Sequence, residues 1–121
     1  MKKILIIDYE PQILMVSAVR LKANGYDVVT ALSGEQGLAK ARKEIPDLVL
    51  LDQVMPEMNG AEVLERLKDD PITKHIPVII FTADVHKVKA AEFHARGAAG
   101  CFYKPFISED LLAKVKEILN K

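Results

Sequence analysis

Four polar side chains stand just after apolar runs of the sequence, and their types suit chemistry on a phosphoryl group. Asp8 and Asp52 are carboxylates, Thr82 supplies a hydroxyl and Lys104 a positive charge. The runs that they follow are Ile4–Ile7, Leu48–Leu51, Val78–Phe81 and Gly100–Tyr103. Two carboxylates in one crevice repel each other unless a cation or a lysine joins them. If the runs end at one edge of a sheet, the pattern predicts an acidic pocket with a positive partner.

The most economical chemistry for this set is transfer of a phosphoryl group to Asp52. A carboxylate is already ionised at pH 7, so Asp52 can be the nucleophile without a base. Lys104 and an oxygen-loving divalent ion such as Mg²⁺ would neutralise the equatorial oxygens of the transferring group. The Thr82 hydroxyl would then hydrogen-bond the new acyl phosphate. A lone aspartate at a strand end is usually a turn former or a helix cap, so this prediction rests on the joint pattern.

The elements that must position these residues alternate between short apolar runs and amphipathic stretches. A fifth run, Tyr26–Ala31, lies between the first two. Continuous hydrophobicity is typical of strands covered on both faces. The helical patterns begin near Pro11, Ser33, Gly60, Val85 and Ser108. This (βα)5 order predicts an α/β fold with a parallel sheet and helices on both faces. The site then lies beyond the carboxyl ends of the strands, where the strand order reverses.

Local signals set the limits of several helices. Pro11 suits a first helical turn with Glu10 as the N-cap, and Asn24-Gly25 is a stop signal. Ser33–Gln36 is typical of a capping box. The fourth helix is predicted to run from Val85 to Arg96, with Gly97 ending it.

Composition limits the possible classes of protein. A chain of 121 residues predicts one domain, 1–121. The net charge is zero, which excludes a global electrostatic argument for binding nucleic acid or a membrane. A single cysteine, Cys101, excludes an internal disulfide and fits a reducing compartment. No apolar stretch approaches the roughly 20 residues of a membrane span. We therefore expect a cytoplasmic protein or module.

Three stretches resemble motifs of response-regulator receiver domains, the phosphoacceptor modules of two-component signalling. DLVLLDQVMPEMNG, which ends at Gly60, is similar to the segment around the phosphorylated aspartate of this CheY-like family. FTA at 81–83 and KPF at 104–106 match two further motifs. The resemblance covers the whole chain. It implies a doubly wound, five-stranded, flavodoxin-like sheet of order 2-1-3-4-5 and a phosphorelay signalling protein, not an enzyme.

The resemblance also implies roles for individual residues. Asp52 is similar to the phosphoacceptor, Thr82 to the switch hydroxyl and Lys104 to the lysine that contacts the phosphoryl group. Asp8 resembles the first acid of the pair that orders Mg²⁺. Asp52 itself and the backbone carbonyl of Val54 would complete the metal site.

Further implications concern dynamics and partners. The resemblance implies a cis peptide bond before Pro105. It also places Val54 and Asp84 where side chains of the family modulate the rate of dephosphorylation. The phosphoryl source would be a sensor histidine kinase, a phosphotransfer protein or a small phosphodonor, and a downstream effector protein would read the result. The fourth helix, fifth strand and fifth helix would form the partner face and a possible homodimer face.

The sequence departs from the family at two positions. The second acid of the metal pair falls on Tyr9, and a tyrosine hydroxyl is uncharged at pH 7 and a poor Mg²⁺ ligand. We therefore expect weakened metal affinity, with Glu10 as the local candidate to compensate. The aromatic switch position falls on Cys101, whose neighbour Phe102 points to the other sheet face. A buried, inert thiol is the expected role of Cys101.

Two alternatives stay open at this point. The chain could be a degenerate receiver that acts as a phosphorylation-independent interaction module, with Tyr9 and Cys101 as its signature. It could instead be a flavodoxin-like flavin or nucleotide enzyme. Against the enzyme, the turn after the first strand is acidic and contains no glycine, so its backbone is not suited to cradle phosphate.

Overall fold

Strands and helices alternate along the chain in the computed structural model. The structure describes residues 1–82, 90–103 and 109–119, except for the side chains of residues 82, 90, 91 and 103. The strands are β1 (Lys3–Ile7), β2 (Asp27–Ala31), β3 (Leu48–Asp52), β4 (Val78–Thr82) and β5 (Gly100–Tyr103). The helices are α1 (Pro11–Ala23), α2 (Gly34–Glu44), α3 (Gly60–Asp69), α4 (Ala90–Ala95) and α5 (Glu109–Leu119). The predicted (βα)5 order is confirmed.

The strands form one parallel sheet of order β2-β1-β3-β4-β5, as predicted. The order reverses between β1 and β3, which pair so that Ile7 lies opposite Leu51. Such a reversal opens a crevice beyond the carboxyl ends of the two strands. The next residues along these strands are Asp8 and Asp52.

The core lies in two layers, one on each face of the sheet. Leu5 and Ile7 of β1 belong to the layer that includes buried residues of α2, α3 and α4. Ile4 and Ile6 belong to the layer that includes buried residues of α1 and α5. Because side chains alternate along a strand, both faces of β1 must be apolar. This explains the continuous hydrophobicity of the central strands.

The helix limits follow the capping signals. Helix α1 begins at Pro11 with Glu10 as N-cap and ends at Ala23, and the C-cap Asn24 and Gly25 at φ +92° follow it. Ser33 accepts a hydrogen bond from the Gln36 N–H through its side chain, as a capping box requires. The return bond differs, because the Gln36 side chain accepts from the N–H of residue 32.

The fourth helix is described only in part. Within the described residues it spans Ala90–Ala95, and Gly97 follows at φ +101°. The predicted start at Val85 lies outside the described residues, as do Asp84, the bond before Pro105 and the Ser108 cap. In the described part of the chain, no helix has the length and hydrophobicity to cross a membrane.

Candidate functional site

Two aspartates lie side by side at the switch point of the sheet. Asp52 is the last residue of β3, and Asp8 directly follows the neighbouring β1. They are 3% and 4% exposed, respectively. Carboxylates are seldom buried unless they are paired or hydrogen-bonded. The predicted acidic pocket is therefore present where the strand order places it.

Hydrogen bonds from nearby backbone N–H groups orient both carboxylates. Asp8 Oδ1 accepts the Glu10 N–H at 2.9 Å, and Asp52 Oδ1 accepts the Val54 N–H at 3.2 Å. Each is a side-chain bond to the backbone two residues on, an arrangement that fixes an aspartate at the start of a turn. Asp8 is further tied to the sheet by its own N–H, which donates to the Ala31 carbonyl at 3.0 Å. Both carboxylates are thus held by backbone that belongs to or adjoins the sheet.

Gly60 closes the loop that follows Asp52. The Gly60 N–H donates to the Gln53 carbonyl at 2.9 Å, and the Gln53 N–H donates to the Phe81 carbonyl at 2.8 Å. A Cβ at Gly60 would lie 2.7 Å from the Asp52 carbonyl oxygen and 2.8 Å from Gln53 Cα. Only glycine permits the start of α3 to approach the backbone of Asp52 this closely.

The rest of this loop is held by packing. Met55 and Met58 are buried in the core layer that also contains residues of α2 and α3. Glu57 lies between them at φ +68°, a conformation that few non-glycine residues adopt. The loop is therefore anchored to the core at two methionines and turns sharply between them.

The other two predicted functional residues are described only in part or not at all. Thr82 ends β4, the strand that pairs with β3, and it lies opposite Tyr103 at the end of β5. Its backbone thus reaches the same edge of the sheet as Asp52, while its side chain lies outside the described part of the chain. Lys104 follows Tyr103 and also lies outside the described residues. The roles of Thr82 and Lys104 stay predictions.

The donor atoms near the pocket suit a hard cation in type. Asp8 and Asp52 offer carboxylate oxygens, and Val54 offers a backbone carbonyl, which are the ligand classes that Mg²⁺ takes. Glu10 is exposed at the N-cap of α1, where its side chain makes no cap hydrogen bond. Within residues 1–82, 90–103 and 109–119, no three Asp, Glu, His or Cys residues group closely enough to hold a metal. The chemistry of the donors fits Mg²⁺, but the described acids supply few of them.

Cys101, on β5, is half-buried at the border of the core. It packs against the layer that contains Leu51 and Ile80, whereas Phe102 packs against the opposite layer, as strand alternation predicts. Burial raises the pKa of the Cys101 thiol. A raised pKa lowers the thiolate fraction, which is consistent with the expected inert thiol.

Two features of the structure were not predicted from the sequence, one in the site and one on α1 beside it. The sequence prediction used Gly60 only as a helix start, although an Asn-Gly pair eight residues after a strand end is a signal of close backbone approach. The second feature is an exposed apolar surface on α1, formed by Met15, Val16 and Val19, which are 63%, 65% and 64% exposed. A helix that is apolar on more than one face signals a second contact surface.

The fold and this pocket define a doubly wound protein with buried acids at its switch point, and comparisons with known proteins identify the family. Residues 4–116 match the response regulator receiver domain. The chain is 37% identical over 123 residues to PhoP of Bacillus subtilis, an alkaline phosphatase synthesis transcriptional regulatory protein. That alignment covers 99% of this chain and 49% of PhoP, so the chain spans about half the length of this relative.

Solved structures agree with the sequence relatives. Chemotaxis protein CheY4 of Vibrio cholerae superposes with a TM-score of 0.89 at 34% identity, covering 98% of this chain and 99% of CheY4. Response regulator TrrA of Thermotoga maritima, solved in complex with Mg²⁺-BeF, gives a TM-score of 0.87 at 34% identity, with 98% and 100% covered.

The chain belongs to the response regulator receiver domain family, and its function is that of a receiver in two-component signalling. The resemblance and the CheY-like fold predicted from the sequence are confirmed. The comparisons do not favour the phosphorylation-independent alternative. Receiver domains are generally signalling modules that interact with histidine kinases or phosphotransfer proteins and with effectors. The assignment of residues 1–121 to a single domain stays a prediction.

Proposed function

We propose that this receiver accepts a phosphoryl group on the Asp52 carboxylate and thereby changes its affinity for a partner protein. The observation that carries the proposal is the burial of Asp52 beside Asp8 at the strand-order reversal. An ion pair or cap at the surface would not need two carboxylates this far from water. Like other receivers, the chain would be a signalling module and not an enzyme.

The chemistry is a displacement at phosphorus. A carboxylate oxygen of Asp52 forms the new O–P bond, and the bond from phosphorus to the donor breaks with its electron pair going to the leaving group. For a phosphohistidine donor the leaving group is the imidazole, and for an acyl phosphate it is a carboxylate. The Val54 N–H holds Oδ1 of Asp52 at 3.2 Å, which orients the carboxylate before attack.

The residues that would hold Mg²⁺ are Asp8, Asp52 and the carbonyl of Val54, with Glu10 as a further candidate. The ion would supply charge neutralisation at the transferring phosphoryl oxygens. Support comes from the donor types at the pocket and from the Mg²⁺-BeF complex of TrrA. Thr82 and Lys104 would add a hydroxyl and a positive charge at the same edge.

Mass spectrometry tests the phosphoacceptor directly. The protein is incubated with Mg²⁺ and acetyl phosphate, and the intact mass is compared for wild type, Asp52→Asn and the matched control Asp69→Asn, whose carboxylate is exposed on α3. We expect one hydroxylamine-sensitive phosphoryl group on wild type and on Asp69→Asn, and none on Asp52→Asn. Absence of an Asp52-dependent adduct on folded protein at millimolar Mg²⁺, together with no response to beryllofluoride, would refute the proposal.

We further propose that the phosphodonor protein docks on the exposed surface of Met15, Val16 and Val19. This surface adjoins the pocket, because α1 begins three residues after Asp8. It borders a groove of about 430 Å³ between α1 and β2, lined in part by Pro11 and Leu32. A helical partner seated there would bring its phosphohistidine toward Asp52.

A charged substitution on the exposed surface of α1 distinguishes an effect on partner docking from an effect on the phosphorylation reaction. With a histidine kinase that phosphorylates wild type, Val16→Asp is expected to slow phosphotransfer at least tenfold. The rate with acetyl phosphate should stay within twofold of wild type, because Val16 is solvent-exposed and is not one of the buried residues of the pocket. Equal kinase-dependent rates would contradict docking at this surface.

The remaining partner and location predictions are also proposals. The predicted homodimer and effector face of the fourth helix, fifth strand and fifth helix is described only in part, because the predicted starts of the two helices, at Val85 and Ser108, lie outside the described residues. The cytoplasmic location is supported by the single cysteine in the sequence.

A further inference from the structure

Tyr9 lies at the edge of the acidic pocket, where its surroundings differ from those of the two aspartates. Tyr9 is 54% exposed, whereas the preceding residue, Asp8, is 4% exposed. The chain leaves the buried sheet at this point, and α1 begins two residues later at Pro11. Tyr9 therefore places an exposed, uncharged side chain directly after one of the two buried carboxylates.

The charge in the described part of the pocket consequently comes from two buried aspartates. A divalent ion held by Asp8 and Asp52 would be balanced by two carboxylate charges, and the Val54 carbonyl and water would supply uncharged oxygen ligands. Each additional carboxylate near the ion contributes attraction that a neutral phenol does not. Calcium and magnesium sites tune their affinity largely by the number of charged ligands.

Glu10 is poorly placed to make up this charge. Its N–H is committed to Asp8 Oδ1 at 2.9 Å, and its carbonyl accepts the Leu14 N–H at 3.1 Å in the first turn of α1. These two bonds fix the Glu10 backbone as a helix cap, and its side chain is exposed. Metal affinity should depend on residue 9 much more than on residue 10.

We propose that Tyr9 makes the acidic pocket a weak cation site, so that the free Mg²⁺ concentration sets how much of Asp52 can be phosphorylated. This inference rests on the proposed function, because it concerns the same pocket. Two buried carboxylates repel an incoming anionic phosphoryl group, so donor and cation must occupy the pocket together. By linkage, each then raises the affinity for the other by the same factor. Phosphorylation should rise with Mg²⁺ well into the millimolar range instead of saturating below it.

Direct binding measurements test the inference without any phosphodonor. Mg²⁺ alone is titrated into the protein, and the dissociation constant is read from NMR shifts of the backbone amides of residues 53–58. Tyr9→Asp is expected to bind at least tenfold tighter, which corresponds to about 1.4 kcal/mol. Tyr9→Phe should stay within twofold of wild type, because the hydroxyl is not a ligand. Glu10→Gln should weaken binding less than threefold.

A matched control separates local charge from net charge. Arg20→Gln makes the net charge more negative by the same single unit at an exposed position of α1 outside the docking surface, and its Cα is roughly 14 Å further along the helix than the start of α1. At physiological salt this exceeds the screening length of about 8 Å. Its Mg²⁺ affinity should therefore stay within twofold of wild type.

Thermal unfolding provides an independent readout that also reports whether each variant folds. A cation that binds only the native state stabilises it in proportion to ln(1 + [Mg²⁺]/Kd). At 10 mM Mg²⁺ the melting temperature of Tyr9→Asp should rise more than that of wild type or Tyr9→Phe. Unchanged affinity in Tyr9→Asp would overturn the inference, and so would a tenfold loss in Tyr9→Phe or in Glu10→Gln.

The outcomes keep this inference separate from the proposed function. Tighter binding by Tyr9→Asp supports the inference even if Asp52 is never phosphorylated, in which case only the proposed function fails. Phosphorylation of Asp52 with equal Mg²⁺ affinity in wild type and Tyr9→Asp leaves the proposed function standing and removes this inference.

Discussion

Replacing Gly60 with alanine tests how closely α3 must approach the phosphoacceptor strand. The new Cβ would lie 2.7 Å from the Asp52 carbonyl oxygen and 2.8 Å from Gln53 Cα. Both are backbone atoms, so neither can move aside as the end of a flexible side chain can. Ordinary contacts begin near 3.4 Å, and the start of α3 must therefore shift by several tenths of an ångström.

The expected magnitude is a difference between two opposing effects. Overpacking in a well-filled site costs about 1–3 kcal/mol. Alanine gains up to about 1 kcal/mol over glycine in a helix interior, and less at a first residue such as Gly60. The net loss of unfolding free energy should be about 1–2 kcal/mol. With about 2.1 cal/mol/K of unfolding entropy per residue, each kcal/mol lowers the melting temperature of this chain by about 4 °C.

Two assays report the consequences of this substitution. Urea unfolding measures the free energy, and acetyl phosphate incorporation at fixed Mg²⁺ measures whether the shifted loop still orients Asp52. The matched control is Gly100→Ala, whose Cβ would meet its nearest neighbour at an ordinary 3.5 Å. We expect a change below about 0.5 kcal/mol and normal phosphorylation for this control.

The sign of the result decides the argument. If Gly60→Ala is as stable as wild type or more so, helix propensity outweighs the close contact and the reasoning is refuted. A destabilised variant with an unchanged phosphorylation rate would show that the contact serves stability alone.

Three other perturbations test features away from the pocket. Ile45, which is half-exposed after α2, is β-branched and lies at φ +44°, a conformation that asparagine adopts more readily. Ile45→Asn should therefore raise the free energy of unfolding in urea by about 1 kcal/mol. The control Ile72→Asn, at a position without a positive φ, should not raise it. The side-chain hydrogen bond from Lys3 lowers the pKa of Glu44. The ionised Glu44 therefore stabilises the fold above the ordinary glutamate pKa range, and this stabilisation is lost as the pH falls. Glu44→Gln should reduce the dependence of the unfolding free energy on pH between about pH 5 and pH 3. Iodoacetamide at pH 8 should alkylate Cys101 more slowly in the native than in the unfolded chain, because burial raises the pKa of its thiol, and equal rates would contradict this.

Local sequence signals predicted most of the element limits. The start of α1 at Pro11, the Ser33 cap of α2 and the glycine after α4 all depend on hydrogen bonds and dihedral angles within a few residues. The apolar runs predicted the central strands, since both faces of these strands are covered. The resemblance added the strand order, which no local signal contains.

The positions of the two aspartates were predictable for a related reason. Once the runs are strands of a parallel sheet, the residue after each run lies at the same edge. The apolar runs alone therefore place Asp8 and Asp52 at one edge of the sheet. Their proximity depends on the strand order that the resemblance implied, and the pairing of β1 with β3 agrees with it. The roles predicted for Thr82 and Lys104 stay predictions, because the structure does not describe their side chains.

The order of strands and helices, the acids at the strand ends and the uncharged residue at position 9 can all be read from the amino-acid sequence. The packing of distant segments shows in addition that Gly60 must lack a side chain, that Met15, Val16 and Val19 face solvent, and that both aspartates are buried. The physical reason is that hydrophobic periodicity and capping are properties of neighbouring residues. Burial and close approach depend on which distant segments pack together.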